Sequence, residues 1–217
     1  MFAVLLDFNG TMIFDSSLHK EAWSKIYQEL YPDDTNSPDD SFFYGPKNDV
    51  ILQRLAPFLT PEERDSLSER KEELYRQALK QNSEKFPLVQ GFDPFMNRLR
   101  ELGIPYALAS ASIKSNIDFF YDHFDLGRWF RKEDIVYDDG TYPDKGAMHL
   151  EAARRLHVDI RDCLLIEDSP SSIRLASQNE AGCIVAIGDE AVRDSLLAVG
   201  AHQVIRNFSE FQFEWLD

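Results

Sequence analysis

The stretch LLDFNGT, at residues 5 to 11, places a short apolar run directly before Asp7 and a turn containing Gly10 directly after it. A short, uninterrupted apolar run predicts a strand that is buried on both faces, as in a parallel sheet. Further runs of this kind lie at Tyr106–Ala109, Asp134–Val136, Leu164–Ile166 and Ile184–Ile187, with an edge strand at Val204–Ile205. We therefore expect the first strand of a sheet to end in the Asp7 carboxylate.

Helical patterns separate these strands. They lie at Phe92–Leu102, Ile113–Phe124, Ala147–Leu156, Ile173–Asn179 and Ala191–Val199. Strands that alternate with helices form βαβ units with right-handed crossovers. The sequence therefore predicts an α/β fold with a doubly wound, Rossmann-like parallel sheet.

Residues 15–85 interrupt this alternation, because they contain no convincing strand. The patterns in SSLHKEAWSKIYQEL, NDVILQRLAPFL and TPEERDSLSERKEELYRQALKQN indicate consecutive helices, and TPEE at 60–63 is typical of a helix start. YPDDTNSPDD at 31–40 has the composition of turns and loops. We predict a core domain of residues 1–14 and 86–217 and an all-helical domain of residues 15–85, joined by linkers near Phe14–Ser16 and Lys85–Gln90.

The chain of 217 residues carries a net charge of −15, from 38 acidic and 23 basic residues. Such a surface repels nucleic-acid phosphates, so a nucleic-acid partner is not expected. Cys163 and Cys183 stand in apolar runs and are interpreted as small core residues of a reducing compartment. Without a signal peptide or a run long enough to span a membrane, we expect a cytoplasmic monomer with no membrane partner.

The polar residues that follow the predicted strands are the candidates for a functional site. Asp7, Ser110 and the pair Glu167–Asp168 each end a strand, and ligands of parallel sheets bind at that edge. Three clustered carboxylates need a cation, and oxygen ligands without His or Cys favour Mg²⁺. An aspartate beside such an ion can attack phosphorus, while a hydroxyl and backbone N–H groups hold the phosphoryl oxygens.

Four motifs now stand in order along the chain. They are DFNGT followed by Asp15, Ser110 within ALASAS, PDKGAMHLEAA at 143–153, and LLIEDSPSSI at 164–173. With them the chain resembles the haloacid dehalogenase superfamily, and most of all its branch of β-phosphoglucomutase and related small phosphatases. The helical insertion is similar to the mobile cap of that family.

This resemblance implies a role for each matching residue of the core. Asp7 would be the nucleophile that forms an aspartyl-phosphate, and Ser110 would bind the phosphoryl group. Mg²⁺ would be held by Asp7, Asp168, the Asn9 carbonyl and Glu167, the last directly or through water. Gly10, Thr11 and Ala111 would contribute to substrate binding.

Two core positions depart from the family pattern. The family lysine usually stands in KPxPD, whereas this sequence has YPDKGAM, with Pro143 at the expected position. Lys145 is the nearby candidate, displaced by two residues, and its alternative is a solvated lysine at a helix start. Ser172 stands where a glycine is usual and is expected to touch no ligand.

In the helical insertion, the resemblance extends to substrate-binding residues. His19 in DSSLHKEAW matches a histidine that contacts substrate, and GPKND at 45–49 matches a substrate-binding loop. Lys47 lies next to the position of a phosphate-binding arginine, which is Asn48 here. Lys71 matches a further cap lysine, and its alternative is a residue of a charged, exposed helix.

Asn9 replaces the family's general acid and base. An amide cannot exchange a proton at neutral pH, and loss of such a group costs about 10²–10⁴ in rate. Three interpretations stay open: a slow or specialised phosphohydrolase, a relative of the dehalogenases and phosphonatases, or a phospholigand-binding regulator without turnover. An engineered replacement of an aspartate and a phosphosugar mutase are further alternatives. We favour a Mg²⁺-dependent hydrolase of a small phosphomonoester, with a small phosphorylated metabolite as its partner.

Overall fold

The computed structural model describes residues 3–34, 38–43 and 47–216. The chain forms two compact units, one of Met1–Phe14 with Pro87–Asp217 and one of Asp15–Phe86. Parts of YPDDTNSPDD and GPKND, at 35–37 and 44–46, lie outside the described residues. The functional division into an enzyme core and a cap stays a prediction.

The first unit is built on a six-stranded parallel sheet in the order β3-β2-β1-β4-β5-β6. The strands are β1 Ala3–Leu6, β2 Tyr106–Ile113, β3 Val136–Asp138, β4 Cys163–Glu167, β5 Cys183–Ile187 and β6 Gln203–Ile205. All four residues of β1 are buried, as expected for a central strand covered on both faces. The predicted doubly wound α/β fold is confirmed. The strand order reverses beside β1, which is where ligands bind in sheets of this kind.

The helices divide between the two units. The second unit contains α1 Ser16–Leu30, α2 Asn48–Leu55 and α3 Pro61–Gln81, and the first contains α4 Phe92–Leu102, α5 Lys114–His123, α6 Lys145–Arg155, α7 Pro170–Gln178 and α8 Arg193–Ala198. None of the helices formed by the described residues has both the length and the apolar character needed to span a membrane. Cys163 is buried and Cys183 half-buried, and both are free thiols.

Several boundaries differ from the predicted ones, and two of these differences shape the site. Strand β2 continues to Ile113, with a register irregularity after Ser110. Helix α6 begins at Lys145 and not at Ala147, because the Asp144 side chain accepts a hydrogen bond from the Ala147 N–H and caps the helix. Both changes bring further residues to the carboxyl edge of the sheet.

The other differences have local causes. The predicted strand at Asp134–Val136 begins only at Val136, because Lys132–Asp134 forms a 3₁₀ turn. Helix α7 begins at Pro170, a residue suited to the first helical position. Helix α2 stops at Leu55, since the residue before Pro57 is disfavoured in helical conformation. The predicted start of α3 is confirmed by a complete capping box between Thr60 and Glu63.

Candidate functional site

The site begins with the turn that follows β1. The Asp7 N–H donates to the Ile166 carbonyl at 3.1 Å, so Asp7 is still held by the neighbouring strand. The Phe8 carbonyl then accepts hydrogen bonds from the N–H groups of Thr11 and Met12, at 3.2 and 2.7 Å. This turn reverses the chain immediately after Asp7. Asp7, a residue only 8% exposed, is thereby fixed at the edge of the sheet.

Gly10 makes room for a second carboxylate. Its φ of +75° lies in the left-handed region, which glycine adopts without steric cost. A Cβ at this position would lie 2.1 Å from Oδ2 of Asp168, far inside contact distance. Gly10 therefore serves the site by its lack of a side chain, which lets Asp168 pack directly on the turn.

Asp7, Glu167 and Asp168 form an acidic cluster, which we call the carboxylate triad. Each offers a ligand oxygen, and these oxygens all lie within 4.8 Å of one another. Such a set of hard oxygen donors fits a divalent cation such as Mg²⁺. The Asp168 carboxylate reaches this set because it packs directly over Gly10. The sequence prediction that strand ends bring these three residues together agrees with this geometry.

Lys145 joins the triad from the first turn of α6. Its Nζ contacts Oδ1 of Asp7 and lies 3.4 Å from Oε1 of Glu167. The side chain is 10% exposed, so it is not the solvated lysine that the sequence left as an alternative. Lys145 reaches the triad although it stands two residues after the expected position, Pro143, because α6 begins at Lys145 itself.

The two carboxylates that face Lys145 have pKa values shifted in opposite directions. Burial raises the pKa of Asp7 to about 7, although the Lys145 charge opposes this, and Glu167 adds to the rise. For Glu167, Lys145 and hydrogen bonds from His149 and Ser172 outweigh the cost of burial and hold the pKa below its usual range. One ammonium group faces two buried carboxylates, so negative charge is left that an added cation would compensate.

Glu167 is fixed by two side chains that the sequence analysis did not assign to the site, and by the backbone N–H of Asp168. The Ser172 hydroxyl donates to its Oε1 at 2.6 Å, and His149 Nε2 lies 3.4 Å from the same oxygen. The Asp168 N–H donates to Oε2 at 3.2 Å. The expectation that Ser172 touches no ligand is therefore wrong, since it holds a candidate metal ligand. The spacing of His149 four residues after Lys145, on one face of α6, is the signal that could have identified it.

The end of β2 supplies three further residues. Ser110 is buried, and its Oγ accepts a hydrogen bond from the Ser112 N–H at 3.3 Å. Ala111 is exposed at the register irregularity. The Ser112 hydroxyl donates to Oδ1 of Asn9 at 2.8 Å, a contact that the sequence did not predict. Thr11, a predicted substrate-binding residue, is fully buried, and its Oγ1 finds no hydrogen-bond partner among the described residues.

The second unit contains a buried charged cluster, which we call the Lys71 cluster. Lys71 is 2% exposed, and its Nζ lies 2.8 Å from both Nδ1 of His19 and Oε1 of Glu72. The alternative of an exposed helical lysine is therefore wrong. The His19 ring stacks on Tyr75 with centroids 4.1 Å apart, and its Nε2 lies 3.3 Å from Oδ2 of Asp15. The structure thus brings together His19 and Lys71.

Glu72 balances the buried lysine, and the sequence analysis did not single it out. Burial opposes its ionisation, but the charges of Lys71 and His19 and a hydrogen bond from Asn48 lower its pKa to about 2. The Asn48 Nδ2 donates to Oε1 of Glu72 at 2.7 Å. Asn48, at the position of the family arginine, is therefore part of this cluster. Lys47 precedes it and is exposed.

A sequence model for haloacid dehalogenase-like hydrolases matches residues 1–179. A haloacid dehalogenase-like hydrolase domain-containing protein of Arabidopsis thaliana is 22% identical over 215 residues, covering 84% of this chain and 67% of that protein.

Solved structures agree with the fold over nearly the whole chain. A family IA, variant 3 hydrolase of Entamoeba histolytica is 28% identical, with a TM-score of 0.91 and coverage of 100% of this chain and 97% of that chain. β-Phosphoglucomutase of Clostridium difficile is 21% identical, with a TM-score of 0.80 and coverage of 99% and 94%. CbbY of Rhodobacter sphaeroides, solved with xylulose-1,5-bisphosphate, is 20% identical, with a TM-score of 0.81 and coverage of 99% and 98%. The last two likenesses concern the fold alone.

Proposed function

Because the chain belongs to the haloacid dehalogenase-like hydrolase family, we propose that it is a Mg²⁺-dependent phosphatase that acts on a small phosphomonoester. The observation that carries this proposal is the contact of Asp7 with Lys145 inside the carboxylate triad. A buried aspartate beside an ammonium group and two further carboxylates is suited to nucleophilic attack at phosphorus.

In this proposal Asp7 attacks the phosphorus atom through a carboxylate oxygen. The bond from phosphorus to the leaving oxygen breaks, and an aspartyl-phosphate forms on Asp7. Water then attacks this phosphorus, the bond to Asp7 breaks, and inorganic phosphate leaves. Lys145 keeps Asp7 oriented and offsets negative charge, and the Ser110 hydroxyl, on β2 at the start of its register irregularity, is a donor for the phosphoryl oxygens.

Mg²⁺ fits the donors that this chain provides. Asp7, Asp168 and Glu167 would hold it, together with the Asn9 carbonyl that the family pattern assigns to it. The bound ion would neutralise charge on the phosphoryl oxygens. Gly10 supports this assignment, because it permits the close packing of Asp168 on the turn that carries Asp7.

The substrate class in this proposal is that of small phosphorylated metabolites. CbbY, similar in fold, was solved with a sugar bisphosphate, which supports including phosphorylated sugars among the first compounds tested. We propose that His19, Lys47 and Lys71 take part in substrate selection. The acidic composition supports a small ligand over a nucleic acid, and we retain the expectation of a cytoplasmic monomer.

Asn9 favours a second candidate, a phospholigand-binding regulator without turnover. The side chain cannot donate or remove a proton during the reaction. A panel of sugar phosphates and other phosphomonoesters, assayed with Mg²⁺ and with chelator, separates the two candidates. Phosphate release that needs Mg²⁺ and is abolished in Asp7→Asn supports the phosphatase. Phosphate binding without release of phosphate from any compound supports the regulator.

A further inference from the structure

One oxygen of Glu167 is approached by three side chains of the described residues, and these come from two helices. The Ser172 hydroxyl, on the third residue of α7, donates to Oε1 at 2.6 Å. Nε2 of His149 and Nζ of Lys145, both on α6, each lie 3.4 Å from the same oxygen. The other oxygen, Oε2, accepts from the backbone N–H of Asp168 at 3.2 Å. Glu167 is thus held at both oxygens, and Lys145 brings an ammonium group to this set.

The hydrogen bonds to Glu167 have only one possible direction. An ionised carboxylate accepts hydrogen bonds and cannot donate them, so the Ser172 hydroxyl is the donor. The same argument places a proton on Nε2 of His149. Ser172 and His149 are 4% and 2% exposed, so water does not readily replace either donor. The position of the Glu167 carboxylate is therefore set by these two side chains.

The start of α6 is also fixed against α7. Asn179, the residue after the last turn of α7, donates through Nδ2 to the Gly146 carbonyl at 3.1 Å. A Cβ on Gly146 would lie 3.1 Å from this nitrogen, so the two helices approach closely here. Helix α7 thus holds the backbone next to Lys145 from its carboxyl end. From its first turn it reaches the Lys145 side chain through Ser172 and Glu167.

We propose that Ser172 is a positioning residue, whose hydroxyl holds Glu167 in the place where it fixes the ammonium group of Lys145. A lysine has a flexible four-carbon stem, so a second anchor is needed to keep its ammonium group in one geometry. In the proposed reaction Asp7 loses its negative charge when it bonds to phosphorus, whereas Glu167 stays a carboxylate in both steps. Two departures from the family pattern, the displaced lysine and the serine in place of a glycine, thereby belong to one arrangement.

The consequence for turnover rests on the proposed phosphatase function, whereas the positioning of Lys145 does not. The first test therefore measures the mobility of Lys145 without turnover. In NMR spectra of the full chain, labelled with carbon-13 at its lysines, the ε-CH₂ signal of Lys145 is assigned by its loss in Lys145→Met. A side chain that is held gives its two ε protons different shifts, and a mobile one averages them.

Wild type should show two resolved shifts for the ε protons of Lys145. Ser172→Ala should bring these shifts together, and Ser172→Thr, which keeps the hydroxyl, should keep them apart. Ser177→Ala is the matched control, because Ser177 is exposed on the same helix, and it should leave the shifts unchanged.

The second test uses inorganic phosphate, which both candidate functions of this chain predict to bind. With Mg²⁺ present, Ser172→Ala should raise the phosphate dissociation constant by about tenfold, the lower end of what partners of active-site ligands contribute. In the Lys145→Met background the same change should alter it by less than about twofold, because residues that act through one network are not additive. Calorimetry of the four proteins measures both effects.

Resolved Lys145 shifts in Ser172→Ala would overturn the proposal, and so would an equal loss of phosphate affinity with and without Lys145. Weaker Mg²⁺ binding in Ser172→Ala, with unchanged Lys145 shifts, would overturn it too, because Ser172 would then serve the metal and not the lysine. If no compound released phosphate while the Lys145 shifts still merged in Ser172→Ala, the phosphatase would fail and the positioning of Lys145 would stand.

Discussion

Lys145 and Asp7 lie 138 positions apart in the sequence, and their side chains are in contact. Both side chains are only 10% exposed, and Nζ of Lys145 also lies 3.4 Å from Oε1 of Glu167. Within the described part of the chain Lys145 is the only ion-pair partner of Asp7, so it orients the Asp7 carboxylate and favours its ionised form against the effect of burial.

Replacing this lysine should disable the site. In Lys145→Met, two buried carboxylates lose their compensating charge, and we expect kcat to fall by at least about 10²-fold, the cost of losing one group that stabilises developing charge. Lys114→Met is the matched control, because Lys114 is 65% exposed and pairs with Asp118 on the surface. Phosphate release under saturating substrate is the measurement. Equal losses in the two variants would contradict the assignment.

Removing a carboxylate of the triad should weaken metal binding. Asp168→Ala leaves only Asp7 and Glu167 of the triad. We expect the Mg²⁺ dissociation constant, measured by calorimetry, to rise by more than about tenfold. Even the loss of a residue that only hydrogen-bonds a metal ligand lowers metal affinity by about 10- to 100-fold. Asp194→Ala on α8 removes an equal charge at an exposed position. Unaltered Mg²⁺ affinity in Asp168→Ala would place the ion elsewhere.

Gly10→Ala, compared with a control glycine, tests whether Asp168 needs the space over Gly10 for Mg²⁺ binding. The new Cβ would meet the Asp168 carboxylate, so Mg²⁺ affinity should fall together with stability. Gly140→Ala is the matched control, because Gly140 also has a positive φ, of +84°, but its Cβ would meet nothing within 4 Å. Both variants should lose about 1 kcal/mol or more of unfolding free energy from the strained φ. Only Gly10→Ala should lose Mg²⁺ affinity, and the same affinity loss in both would refute this explanation.

The pairing of Glu72 with Lys71 predicts a pH-dependent stability. The pKa of Glu72 falls from 4.5 to about 2 on folding, so its contribution is present above pH 4.5 and is lost as pH falls towards 2. The gap in unfolding free energy between wild type and Glu72→Gln should narrow over that interval, by a total on the order of 3 kcal/mol. Urea denaturation between about pH 6 and pH 3 measures most of it.

The control for this experiment is Glu69→Gln on the same helix. Glu69 is 56% exposed and pairs with Arg76 on the surface, so its gap to wild type should be small and nearly constant with pH. If the difference in unfolding free energy between wild type and Glu72→Gln stayed constant with pH, the pKa of Glu72 would not be lowered by its pairing with Lys71.

The sequence predicts the sheet and the triad well, because both depend on short-range patterns. The apolar run before Asp7 and the run before Glu167 specify buried strands, and parallel strands deliver their carboxyl ends to one edge. The helical unit is likewise predicted by periodicity and by the capping residues around Thr60. These features need no knowledge of side-chain packing.

The parts that the sequence missed depend on contacts between distant residues. Ser112 reaches Asn9 only because β2 continues past Ser110 with an irregular register. Lys71 looks like a surface residue in a charged stretch, whereas in the structure it is buried against Glu72, His19 and the ring of Trp23. A hydrophobic pattern carries no information about such polar pairs.

Asp7 should become phosphorylated during turnover, and a rapid acid quench detects this modification. Wild-type protein is mixed with Mg²⁺ and p-nitrophenyl phosphate, quenched during turnover and digested, and the peptide that contains Asp7 is examined by mass spectrometry. Because Asn9 cannot deprotonate the attacking water, the aspartyl-phosphate should persist and a substantial fraction of this peptide should carry one phosphoryl group, absent from Asp7→Asn. Release of phosphate with no covalent phosphate at Asp7, together with an active Asp7→Asn variant, would show that Asp7 is not the nucleophile.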